Sequence, residues 1–259
     1  MRADAFFTYE TLFGFLYALA RISAVFAFLP LAVFRAAPEP TRVVLSLTFT
    51  VMLKSYWHRP INPDVSLSHI LPALASEAAV GLAIGLSLAV VLEIFQMAAQ
   101  AVSLQAGLGY ASTIDPTSGA DSTVLLTIAQ ITAGLLFFVS GADRLLIRTL
   151  AESLRILPPE SFTIRQNWGT AMIRFSASIF ASGLRLAAPV ITLILLADAS
   201  LAVLGRMQPH LQLVSLTMPV KLGATMLVIA MTIGLYPSFF ESMMTSWMHL
   251  MEGLLGTSR

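Results

Sequence analysis

Eight ionisable side chains stand within or at the edges of apolar segments: Arg21, Glu77, Glu93, Arg174, Arg185, Asp198, Arg206 and Lys221. In such surroundings carboxylates and guanidinium groups can relay protons or ions, grip a neighbouring helix, or neutralise one another. A charge at the centre of a lipid-facing helix costs about 2.5–3.5 kcal/mol even on the lenient insertion scale. These helices are therefore poor lipid-facing spans, and three outcomes remain. The charges pair internally, they face water, or the helices are buried in a larger assembly.

Spacing sharpens the question. Advanced at 100° per residue, Glu93, Gln96, Gln100 and Ser103 fall within an arc of about 80°, while the other faces hold Ala, Val, Leu, Ile and Met. Arg174, Ser178, Ser182 and Arg185 likewise share one face of a helix expected to end at Pro189. Such stripes suit a water-filled path, a partner helix, or mutual hydrogen bonding within this chain's own bundle.

Other chemistry is poorly served. His58, His69, His210 and His249 form no HExxH or HxxxH arrangement, so no metal site is expected, and the absence of cysteine removes thiolate ligands and disulfides. Gly85 to Ala89, GLSLA, lacks the glycine that a nucleophile elbow needs two residues after its serine. No Gly-rich phosphate loop follows a strand. No catalytic residue or cofactor is expected. The net charge of +1, without a Lys/Arg cluster, argues against a nucleic-acid partner.

The elements that must position these residues are helices. The chain is 57% hydrophobic and only 11% charged, with a mean hydropathy of +0.81. Soluble domains carry about a quarter of their residues charged, so this is read as one membrane-associated, all-α domain, 1–259. Apolar segments fall near 11–34, 43–57, 70–111, 122–142, 171–206, 211–236 and 238–255. Asp4, Glu10 and Arg21 are out of place in a cleaved signal peptide, and the first helix is expected to be retained. Prolines in RAAPEPTR (Arg35 to Arg42) and HRPINPDVS (His58 to Ser66) are expected to interrupt helix.

As one helix, 70–111 would be roughly 60 Å long, twice the hydrocarbon thickness of about 30 Å, so it must bend, break or project. Gly81 and Gly85 are candidate bend points that also suit close helix packing. After the charge-free run 122–142, Arg144, Arg148, Glu152 and Arg155 recur at helical spacing, which predicts an amphipathic extension up to Pro158-Pro159. Its basic face suits lipid headgroups or a protein surface. Lys/Arg residues flank the second segment on both sides, so the positive-inside rule assigns no orientation.

Between the long runs lies LQAGLGYASTIDPTSGADSTVLL, Leu104 to Leu126. Gln105, Gly107, Gly109, Asp115, Pro116, Ser118 and Gly119 there resemble the QxGL…DPxSG pattern of the FliR/SctT type III secretion export-gate family. A second block, Ala188 to Lys221, resembles that family's PxxTLLL…PxK block, with Pro189, Leu195, Leu196, Arg206, Met207, Pro209, Pro219 and Lys221 at the family spacing. The likeness runs over essentially the whole chain. Gly141-Ala142-Asp143, Asp198, Gly205 and His210 depart from the usual family residues, and roles attached to those groups are not carried over. The DPTSG form leans towards flagellar members.

The resemblance implies a non-catalytic subunit built of kinked helical hairpins in a helical export-gate assembly of the bacterial inner (cytoplasmic) membrane, at the flagellar basal body. Its implied partners are FliP- and FliQ-like subunits, an FlhB-like switch protein, unfolded export substrates and membrane lipid. Gln105 to Ser122, including Ser112 and Asp115, would be a plug in the closed channel. Irregular backbone is tolerated at membrane depth only where protein or water satisfies it, and the hydroxyls and glycines of this stretch suit that need. An injectisome homologue is the alternative within the same mechanism. A secondary transporter also breaks its helices with proline, but would show two similar halves, and no internal repeat is found.

Overall fold

The computed structural model describes residues 9–29, 39–57, 66–107, 124–158, 167–207 and 213–256, and every regular element among them is helical. In chain order these are α1 (Tyr9–Phe28), α2 (Glu39–Met52), α3 (Leu67–Ala106), α4 (Val124–Val139), α5 (Ala142–Ile156), α6 (Asn167–Met207), α7 (Leu213–Thr232) and α8 (Tyr236–Leu255), with short 3-10 turns at Lys54–Tyr56 and Ile233–Leu235. Four stretches are long and apolar enough to cross a membrane: Thr11–Phe28, Ser68–Ala106, Trp168–Met207 and Pro219–Leu255. The all-α membrane fold expected from composition is the one observed.

Several boundaries differ from the sequence reading. α2 begins at Glu39 rather than near residue 43, because Pro40 falls in the first turn, where a missing N–H breaks no helical bond. α3 is a single unbroken helix of 40 residues, about 60 Å at the standard rise, so it neither breaks nor ends at its glycines. Pro189 does not end α6 either, and the helix runs 41 residues through it. Ala187, Val190 and Ile194, on either side of that proline, are buried, and packing holds the helix together where one backbone bond is missing.

The charge-free helix and its amphipathic sequel are two elements, not one extension. α4 and α5 meet at 65° across Ser140-Gly141, and Gly141 sits at φ +74°, a conformation that favours glycine.

The chain forms two compact units. The first comprises Met1–Val91, Phe137–Ser176 and Met243–Arg259. Here α1 and α2 double back on each other, with Phe26 stacked on Phe49 and Phe15 edge-on to Trp57, ring centroids 5.3 and 5.5 Å apart. α1 lies directly on α3. A methyl placed at Gly81 would come within 2.0 Å of the Arg21 carbonyl oxygen, and one at Gly85 within 2.8 Å of that of Val25. The pair is thus a contact surface of the small-xxx-small kind. Buried Trp247 of α8 closes this unit by donating its indole N–H to Ser87 Oγ at 2.8 Å.

The second unit comprises Leu92–Leu136 and Ala177–Ser242. Its core joins Ala98, Ala99, Val102 and Ala106 of α3 to Leu125, Ala187, Val190, Ile194 and Val228. The small side chains let backbones approach, as at Gly183, whose added Cβ would touch Met97 Sδ at 3.4 Å and Ile94 O at 3.5 Å. Phe95 packs among Tyr236, Phe239 and Phe240, ring centroids 5.7–6.4 Å away.

Candidate functional site

The intramembrane charges fall into two groups, one consumed inside the chain and one left at its surface. Arg21 and Glu77 belong to the first. α1 and α3 bring them together at the Gly81 contact, where both are fully buried. Arg21 Nε donates to Glu77 Oε2 at 2.6 Å, Nη1 to the Ser153 carbonyl at 2.6 Å and to Ser153 Oγ at 3.3 Å, and Nη2 to the Leu157 carbonyl at 2.9 Å. Ser153 lies in the last turn of α5 and Leu157 is its C-cap, at the negative end of the helix dipole, and the Ser153 carbonyl also accepts from the Leu157 N–H at 3.0 Å. One guanidinium thus fastens α1, α3 and α5. Glu77 Oε1 has no hydrogen-bond partner among the described residues.

Lys221 is also consumed internally. Its Nζ lies 2.8 Å from Asp198 Oδ1, an ion pair joining α7 to α6. Asp198 thus balances a lysine in an apolar helix.

The stripe of α6 is different. Phe175, Ile179, Gly183, Ala187, Val190 and Ile194 are the buried line of that helix. At 100° per residue, Arg174, Ser178, Ser182 and Arg185 lie about 130° round the helix from that line. Arg174, Arg185 and Arg206 are exposed, and none forms an ion pair among the described residues. The surface around them is apolar, with Leu184, Leu196 and Val203 at least half exposed. Only 17% of the Trp168–Met207 stretch and 11% of Pro219–Leu255 is buried, against 67% of Ser68–Ala106. α3 is the interior helix of this chain, whereas α6 and the α7–α8 stretch have faces still to be covered.

The α3 stripe sits at the rim of that helix's one exposed strip. Gln100 is exposed beside Leu104, Glu93 and Gln96 are half-buried, and Ser103 is buried. The stripe leads towards Gln105, which is still helical and half-buried, and Gly107, which ends the helix at φ +81° with its N–H donating to the Leu104 carbonyl at 3.2 Å. Gly109, Ser112, Asp115, Pro116, Ser118 and Gly119 lie outside the described residues.

Sequence spacing singled out Arg21 and Glu77 as misplaced charges but did not pair them, because they are 56 residues apart and the other acceptors are main-chain carbonyls. The described residues hold no cluster of His, Asp and Glu able to bind a metal.

The family described as bacterial export proteins, family 1, matches residues 12–247. Among curated relatives, the flagellar biosynthetic protein FliR of Pectobacterium carotovorum is 27% identical over 93% of this chain and 92% of its own. That of Escherichia coli is 26% identical over 92% and 90%. The surface presentation of antigens protein SpaR of Salmonella typhimurium is 24% identical over 81% and 78%.

Proposed function

This chain belongs to the bacterial export proteins, family 1, and we propose that it is a non-enzymatic core subunit of a flagellar type III protein export gate in the bacterial inner membrane. With FliP- and FliQ-like subunits it forms the channel for unfolded flagellar proteins, and an FlhB-like switch protein contacts the assembly. The segment 105–122 acts as the plug of the closed state.

The observation that carries this reading is the uncovered apolar face of α6 with Arg174, Arg185 and Arg206 set into it. Acyl chains do not solvate guanidinium groups, and no described residue of this chain pairs with these three, which supports a neighbouring subunit or a wet conduit as their surroundings. Relatives spanning about nine tenths of the chain that are named as flagellar biosynthetic proteins support the flagellar form, and the SpaR relative keeps an injectisome as the second reading.

Purification of the tagged chain in mild detergent tests this. The expected outcome is one large particle that also contains FliP- and FliQ-like subunits. Deleting 107–119 should leave that particle assembled but make the membrane leaky to ions. A stable monomer would contradict the gate assignment, and an intact permeability barrier after the deletion would contradict the plug.

A further inference from the structure

In the first unit a groove of about 550 Å³ opens between the end of α2 and the outer face of α5, within the range of small-ligand clefts. Met52 and Tyr56 supply its apolar wall, and Arg144, Arg148 and Arg155 its basic one. At 100° per residue the three arginines fall within about 40° of one another. They point away from Leu146, Leu150 and Ser153, the buried side of α5. Glu152 pairs with Arg148 at 3.1 Å, leaving an excess of two positive charges (three Arg less one Glu).

We propose that this groove binds the phosphate-bearing headgroup of an anionic membrane lipid. Three observations favour a lipid over an acidic protein segment. The apolar helix α2 stops at the groove at Met52, and the apolar run of α4 ends at Val139, just before α5 begins the arginine series, so the groove lies where the chain turns from apolar to charged. The residues that follow the α2 end include Lys54, Tyr56 and Trp57, types that concentrate at the headgroup level. Then α5 turns 65° from α4, with Leu146, Leu150 and Leu154 packed into the protein and its basic side facing outward, where it can meet a charged headgroup layer. Arg21 anchors its inner side through the Ser153 and Leu157 carbonyls, which holds the arginine face in a fixed pose. An anionic headgroup would neutralise the excess charge while its acyl chains run beside exposed Val51 and Met52.

The test uses the full chain, in whatever particle it purifies, in nanodiscs of phosphatidylglycerol and phosphatidylcholine mixed equally, with retained lipid read by native mass spectrometry. Wild type is expected to retain phosphatidylglycerol in roughly tenfold or greater excess, as a few basic residues at a charged surface should give. Arg144→Gln with Arg148→Gln and Arg155→Gln should abolish the preference, and the same three positions changed to Lys should keep most of it. Single Gln changes provide graded losses should the triple variant fail to fold. Equal retention of the two lipids, or a preference untouched by the Gln changes, overturns the proposal. So does full displacement of the lipid by millimolar inorganic phosphate, which would make the site one for free phosphate. A crosslink from position 148 to a subunit of the purified particle would give the groove to a protein instead.

Discussion

Arg21 shows how a single side chain can carry the local structure of an apolar bundle. Its fork satisfies a carboxylate and two main-chain carbonyls at once, with the Glu77 and Ser153 acceptors buried and the Leu157 carbonyl part-buried. Arg21→Met should cost about 3–5 kcal/mol, because it strands the Glu77 carboxyl without its partner. Arg21→Met with Glu77→Met should recover only part of that loss, since the Leu157 carbonyl would lose its guanidinium donor at about 1–3 kcal/mol, while the Ser153 carbonyl keeps the Leu157 N–H. Unfolding titrations in mixed micelles check both variants, and a single-variant loss below about 1 kcal/mol would show that the buried pair is not what fastens these helices. Much of this was legible only as an anomaly. A charge in an apolar run is visible in one dimension, but its partner 56 residues away, and a carbonyl that any residue could supply, are not.

At the scale of elements, the hydrophobic runs marked out the helices, and the errors cluster where glycine or proline admits two readings. Gly81 and Gly85 were candidates for bending and for packing. Only tertiary contact decides, and here the carbonyls of Arg21 and Val25 occupy the space a side chain would need. Gly81→Ala should therefore destabilise the first unit by about 1–3 kcal/mol, the usual cost of overpacking, towards the upper end because the clash is with backbone. Gly134→Ala, where nothing lies within 4 Å of the added methyl, should be close to neutral or slightly stabilising. Equal thermal stability of the two variants would mean that the α1–α3 contact is looser than described. Pro189 misled in the opposite direction. Its local rule says that a helix stops, yet the packing of Ala187, Val190 and Ile194 carries α6 through. The break at Gly141 has no proline to announce it, and only a glycine free to take a positive φ marks the spot.

For the whole molecule, the two polar stripes were legible from helical periodicity alone, but what they meet was not. Periodicity places side chains round an axis and says nothing of which neighbours cover each face. The structure separates the cases by showing charges that are used, in Arg21 with Glu77 and Lys221 with Asp198, and charges that are offered, in Arg174, Arg185 and Arg206. It also shows α3 wrapped by its own chain while α6 and the α7–α8 stretch keep most of their surface open. The longest helix of this membrane protein carries three arginines that form no ion pair among the described residues, and the account assigns their partners to other subunits. The most direct measurement is photo-crosslinking in intact cells from a benzophenone amino acid placed at Arg185, with Leu88, buried in the first unit, as the internal control. Adducts from position 185 to FliP- or FliQ-like subunits, and none from position 88, are the expected result. Adducts to lipid alone, or a chain that remains monomeric with position 185 unlinked, would contradict the account.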